Sequence, residues 1–555
     1  MSLRRFLVAP AILFAFSALT GCGGNGSGIT NPVAPPSGSF SNSNLKGTYV
    51  FSVSGLDGAG APYALVGTFT ADGNGEISPT GSAFDMNDAE FSAVVADQAI
   101  TGGNYAVQVD GRTRVTLDAS TPFPGLGGVS NITLDLVLQN SSHGLVTQFD
   151  ANASGSGTLD LQTSGATPAG TYAFSLSGST LSGEALATVG NFTVGSSGIA
   201  GLIDVNEGGI LPFTNQALTG SLSIGPSATP STTLSSGGLN GTFDVFAVDS
   251  THLKFIEMDA TNILVGDAYA QTSTAMPVGT QAFTLAGCSP CSSSSFNPEA
   301  MGGFMVTDAS GNITNSSSED YNVGGTSNST SGLFSGAYTP TSSSTGRYQL
   351  SGFTSSFVGG TTYAAYPSSG GLLLLEIDNG GLSIGAAYPQ TSGASFAASQ
   401  GYGLNLTGTN LTGAGSISGS SEVEVDDIAQ FTTAASGSTL SSGVIDENFA
   451  PGGGPNLGLA LTSGSYQGPD ASGRYLLSAA AGNNNNSTLN GGFNLIFYTV
   501  DGTTFPFIDV DSTQIATGVF VEQSPSAASS SAAIKSTMFM APPVFRPHLL
   551  KKKQN

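Results

Sequence analysis

Positive charge is nearly missing from this chain: 13 Lys or Arg stand against 37 Asp or Glu in 555 residues, for a net charge of -24. The few cations do not gather into a groove with interleaved aromatics, which excludes nucleic acid as a partner, and the protein would be repelled by bare anionic lipid. Charged residues of both signs make up only 9% of the sequence, against about 25% in an ordinary soluble domain, so the surface must be hydroxyl and amide. Tryptophan is absent and cysteine occurs three times, too few for a disulfide framework. Histidine is limited to His143, His252 and His548, and no Ser carries the flanks of a nucleophile elbow. His143 and His252 occupy corresponding turns, where a turn role is the simpler reading than a catalytic base. What is present is apolar: 39% hydrophobic residues with 32 Phe and 15 Tyr, enough to fold despite 78 Gly. A chain of this length exceeds one hydrophobic core, so several domains are expected.

No apolar run is long enough for a permanent membrane helix. The longest, Phe6 to Leu19, follows Arg4 and Arg5 and leads into Leu19-Thr20-Gly21-Cys22. This segment resembles the lipobox signal peptide of bacterial lipoproteins over residues 1–22. The resemblance implies cleavage before Cys22, acylation of its thiol (a palmitate-type modification), and stable attachment to a membrane through several acyl chains. Gly23 stands where the resemblance would place Asp in proteins kept at the inner membrane, so outer-membrane or cell-surface anchoring is expected. Residues 23–44 are Gly, Ser, Asn and Pro and read as a flexible tether.

The other two cysteines, Cys288 and Cys291, enclose Ser289-Pro290 and precede a serine run. Redox pairs sit at a helix N-terminus, and nothing helical follows here. A local disulfide is expected in an oxidising compartment.

The mature chain repeats itself. Gly47-Thr48-Tyr49-Val50-Phe51-Ser52-Val53-Ser54-Gly55 recurs from Gly170 to Gly178, more weakly from Gly279 to Gly287, and most weakly from Gln400 to Gly408. Tyr49, Phe51 and Val53 alternate with polar residues, the period of a strand with one buried face. A second strand follows, marked by Phe69, Phe192, Phe304 and Phe431, and runs into a turn such as Asp72-Gly73-Asn74-Gly75. Seven or eight alternating runs per unit and no amphipathic helix give an all-β chain of four tandem antiparallel meanders. Small barrels are favoured over β-sandwiches, because closure removes edges that a charge-poor chain cannot protect. The units span 45–163, 168–272, 277–391 and 399–523, with a Ser/Ala/Pro-rich tail and basic end over 524–555. They are loosely similar to avidin-like or lipocalin-like barrels. Because the repeated positions are those of turns and core, the units are expected to fold as separate beads, divisible at 162–170 or 390–400.

Three polar features recur. Asp-x-Asn appears as Asp85/Asn87, Asp204/Asn206, Asp320/Asn322 and Asp446/Asn448. Such oxygens suit calcium, but two per unit are too few, and turn capping is the better reading. Acid pairs in the closing strands, Glu257/Asp259, Glu376/Asp378 and Asp509/Asp511, could attack glycosides at suitable separation; alternation with apolar neighbours instead reads as a wet strand face. A Gln ends each closing segment, as in Gln271, Gln390 and Gln523, and a Gly-Arg turn recurs at Gly346-Arg347 and Gly473-Arg474.

These features support a non-catalytic, lipid-anchored cell-envelope protein with a structural, spacer or adhesive role. The alternative is a module for carbohydrate or another small ligand, calcium-assisted if the Asp-x-Asn residues serve as ligands; an envelope hydrolase ranks third. No cofactor beyond that calcium is expected, and the partners are the membrane and glycan or other envelope components.

Overall fold

The computed structural model describes residues 32–526 apart from 91–93, 121–129, 164–167, 197, 209–211, 225–229, 293–294, 329–330, 343–344, 354–360, 412–422, 452–453, 483–491; Cys22 and the basic end lie outside the described residues. The chain is all-β, with four closed eight-strand antiparallel barrels in tandem. Each is a meander whose first strand pairs with both its second and its last. The first barrel runs from Lys46–Asp57 to Ala153–Leu161, the second from Gly170–Thr180 to Asn262–Ala270, the third from Gly279–Ser292 to Leu382–Pro389, and the fourth from Gly401–Asn410 to Gln514–Glu522. The third carries a two-residue spur, Thr326–Ser327, and closes through its second and third strands.

The period-two pattern sets the inside of each barrel. Tyr49, Phe51 and Val53 point inward with Phe69, Leu117 and Leu134, and every barrel has an equivalent core of its own. Side chains fill these interiors, as expected for eight strands. The glycine that ends the opening motif has a steric reason. A Cβ on Gly55, Gly178, Gly287 or Gly408 would collide with the backbone carbonyl of the last strand, at Ser154, Ile263, Leu382 and Ile515 respectively. The first and last strands therefore approach more closely than any side chain allows. At the turn after the second strand, Asp72 Oδ1 accepts the N–H groups of Asn74, Gly75 and Glu76 at 2.6, 3.0 and 3.1 Å, an Asx turn that forms the expected hairpin. Cys288 and Cys291 are joined by a 2.08 Å S–S bond where the opening strand of the third barrel shifts register against its neighbour.

The outer faces correct the picture of beads. One apolar cluster draws on all four barrels, including Val137 and Leu145 from the first, Val189 and Tyr269 from the second, Phe304 and Tyr366 from the third, and Ile428 and Tyr498 from the fourth. Another joins Val50 and Val66 of the first barrel to Phe246 and Ile263 of the second. The first three strands of each barrel pack on the last three of the next, and the first three of the fourth pack on the last three of the first. The four barrels form a closed ring. Phe304, the apolar marker of the third unit's second strand, faces outward into the shared cluster against Tyr498 of the fourth barrel, while Met305 takes the inner position. The expected tether is likewise shorter than 23–44, because Phe40 is buried in the core of the first barrel.

Candidate functional site at the barrel junctions

The repeated polar residues lie at the junctions. The Asn of each Asp-x-Asn sends its side-chain amide into the last hairpin of the next barrel. Asn87 donates to the carbonyls of Glu257 and Asn262 at 2.8 and 2.9 Å, and Asn206 to those of Glu376 and Gly381 at 2.9 and 3.0 Å. Asn322 reaches Asp509, Asp511 and Gln514 at 3.1, 2.9 and 2.9 Å. Asn448 returns to the first barrel, to Gln148, Asp150 and Ala153 at 2.8, 3.1 and 2.8 Å. All four asparagines are buried. They clasp the next barrel rather than cap turns, because the two N–H donors of each amide satisfy carbonyls that the hairpin itself leaves open.

The terminal glutamines make a second tie to one equivalent carbonyl per barrel. Gln162 donates to Ala247 at 2.8 Å, Gln271 to Pro367 at 3.0 Å, Gln390 to Thr499 at 3.0 Å and Gln523 to Leu138 at 3.0 Å. The aspartates of the motif form the third tie. Asp204 receives Arg347 through Nε at 2.7 Å and Nη2 at 2.5 Å, with the Tyr366 hydroxyl at 2.6 Å. Asp320 receives Arg474 through both nitrogens at 2.8 Å and Tyr498 at 3.0 Å. Asp446 meets Arg112 at 3.4 Å. Burial raises the Asp320 and Asp446 carboxyls and their arginines pull them back. The aspartates do make the local backbone bond that a capping role predicts, accepting the N–H of Asn215 at Asp204 and of Gly458 at Asp446. With an arginine and a backbone N–H on them, these carboxylates have oxygens already engaged, and among the described residues no three His, Cys, Asp or Glu side chains are grouped to hold a metal ion.

The acid pairs are also not a wet face. Glu257, Glu376 and Asp509 are buried and point into their own barrels, beside core residues such as Phe255, Leu374 and Phe507. Their partners cap a neighbouring strand: Asp259, Asp378 and Asp511 accept the N–H of Thr242, Thr362 and Asn494 at 2.7, 2.8 and 2.9 Å. With few cations available, burial drives Glu257 and Glu319 up to about 8 and Glu299 up to about 7, with neighbouring carboxylates adding to the rise.

The histidines, expected to be turn residues, join a buried charge network between the first two barrels. His143 Nδ1 lies 2.8 Å from Asp160, His252 Nε2 lies 2.6 Å from Asp267, and Lys254 Nζ is 3.1 Å from each of the two carboxylates. Lys254 also donates to Thr158 Oγ1 at 2.6 Å. Burial alone would raise Asp160, but Lys254 and His143 bring it well below the ordinary carboxyl range. Beside this network is a cavity of about 30 Å³ lined by Ser52, Ser54, Ser156, Ser175, Ser177 and Asp267, room for roughly one water. Lys254 carries the one sequence signal for this network: it is the only cation of its unit.

No protein-family model matches the chain, and no curated protein does. Among solved structures, a double mutant of the vaccine antigen transferrin binding protein B from Haemophilus parasuis Hp5 is 8% identical, over 70% of this chain and 82% of that one, with a TM-score of 0.18. The isotype 1 transferrin binding protein B from serogroup B Neisseria meningitidis is 9% identical, over 72% and 85%, with a TM-score of 0.20. Scores this low say nothing about partners of the present chain.

Proposed function

We propose that this protein is a lipid-anchored, non-catalytic component of the cell envelope in which a closed ring of four barrels serves as a rigid scaffold. One observation carries the reading: the polar positions common to the units, Asn87, Asn206, Asn322 and Asn448 foremost, are used to bind barrel to barrel. The acids that also recur, Glu257, Glu376 and Asp509, lie inside their own barrels among core side chains. The interiors are filled, and the inter-barrel cavity at about 30 Å³ is too small for a sugar. Lipid on Cys22 would hold the ring at the outer membrane or cell surface, leaving its loops to meet glycan or other envelope components. Labelling cells with a fatty-acid analogue and shaving them with protease tests this. Label that depends on Cys22 and a released, protease-resistant ring is expected; equal labelling of a Cys22→Ala variant refutes the anchor.

A further inference from the structure

Three junctions set an arginine against the motif aspartate, and the fourth does not. In the second barrel the corresponding strand, Pro230–Ser235, contains no basic residue. Asp244, two residues before Phe246 on the same outward face of its strand, stands beside Asp85 instead. Phe246 stands where strand register places Tyr366 and Tyr498 in the next two barrels, so this position supplies no hydroxyl to Asp85. Asp85 is 1% exposed; its Oδ1 accepts the Asp97 N–H at 2.6 Å, and among the described residues no N–H or hydroxyl donor reaches Oδ2. We propose that Asp85 and Asp244 form a one-proton latch between the first and second barrels, so that closure of the ring at this junction depends on pH.

Asp85 is buried and Asp244 half-buried, so a doubly ionised pair is strongly disfavoured, whereas one shared proton gives a short carboxyl–carboxylate hydrogen bond. The charged groups around the pair are acidic. Asp97 from the next strand of the first barrel acts on both, and Ser231 donates to Asp244 from the neighbouring strand. Two residues along, Asn87 clasps the hairpin that carries Glu257 and Asp259. The one cation on this seam among the described residues, Lys254, is held by Asp160 and Asp267. Burial first, then Asp244 and Asp97, push Asp85 up to about 8, against the backbone N–H of Asp97. Opening the junction returns Asp85 toward its ordinary value and releases the proton. The opening equilibrium therefore grows by about tenfold per pH unit between the ordinary carboxyl value and about 8, and levels off above it.

Hydrogen exchange on the full chain, corrected for intrinsic rates, reads this directly. Protection of residues 85–88 and of the hairpin at 257–262 should fall by roughly two to three orders of magnitude between about pH 5 and about pH 8. Residues 204–206 and 376–381, at an arginine junction, should fall less. Asp85→Asn, which supplies a permanent donor to Asp244, should abolish that local pH response, and Asp244→Asn should do the same from the other side. Equal protection at both pH values overturns the proposal, as does an unchanged response in both variants. Recovery of protection at high pH by calcium alone would also overturn it, giving the place to a metal cation.

Discussion

Asn448 of the fourth barrel donates its side-chain amide to the backbone carbonyl of Gln148 in the first, 300 residues earlier in the chain, at 2.8 Å. That bond closes the ring, and it copies the bond that Asn87 makes to Glu257 within the first pair of barrels. A chain whose last unit clasps its first has no terminal unit, so no barrel is left with an uncovered junction face. Open repeat arrays need special end units for that purpose.

The clasp should be sensitive to donor loss. Asn448→Ala leaves three carbonyls without their donor, those of Gln148 and Ala153 buried, and should lower the free energy of unfolding by about 1–3 kcal/mol. Asn448→Asp should cost more, because it turns an acceptor toward three acceptors. Urea titration of the two variants against the parent measures both.

The arginine junctions should show the asymmetry of buried ion pairs. Arg347→Met strands the Asp204 carboxylate, which retains Tyr366 and the Asn215 N–H, and should destabilise by about 3–5 kcal/mol. The double variant Arg347→Met with Asp204→Leu should recover much of that loss, since it removes the uncompensated charge. A double-mutant cycle by thermal melting decides: additive losses would mean that the two side chains do not interact.

The eight-strand meander is legible in the sequence because inner residues such as Tyr49, Phe51 and Val53 keep a strict period of two. The ring is not, and the reason is physical. Alternation distinguishes two faces of a strand but does not say what covers the second one, and polar residues on it are assigned to water by default. Asn87 and Gln162 recur in the sequence as visibly as Phe69 does, yet nothing in their spacing marks them as donors to another barrel. Phe304 differs from Phe69 for the same reason: both faces of its strand are buried, and Phe304 takes the outer one and Met305 the inner. Glu257 escapes the pattern because an acid inside a barrel is rare, and only the folded chain shows that it lies among Phe243 and Phe255.

Those inward acids make stability depend on pH in a defined direction. Glu319 is held at about 8 by burial and by Glu299 and Asp320. A carboxyl raised on folding binds a proton that the unfolded chain releases, so its penalty is absent below the ordinary value and grows as pH rises to about 8. Thermal stability should therefore fall from about pH 5 to about pH 8. Glu319→Gln should add about 2–4 kcal/mol at the upper end and under about 1 at the lower. A variant with the same pH profile as the parent would remove Glu319 from the account.

Ring closure finally predicts how the chain tolerates being cut. The two ends of the described chain meet: Ser37 Oγ donates to the Gln523 carbonyl at 2.7 Å, and the Asn44 side-chain amide to that of Pro525 at 2.8 Å. A circular permutant that joins these ends with a short Gly/Ser linker and opens between the exposed Thr272 and Ser273 keeps all four junctions. It should melt within a few degrees of the parent, since linker length costs only about 0.6 kcal/mol per doubling. An excised second barrel, residues 168–271, keeps its own core but exposes Val189 on one side and Phe246 and Ile263 on the other. It should melt well below the ring and self-associate, as contiguous exposed apolar patches do. Calorimetry and sedimentation on the two proteins separate the cases. An excised barrel as stable and monomeric as the ring would show that the shared clusters contribute nothing, and would restore the picture of independent beads.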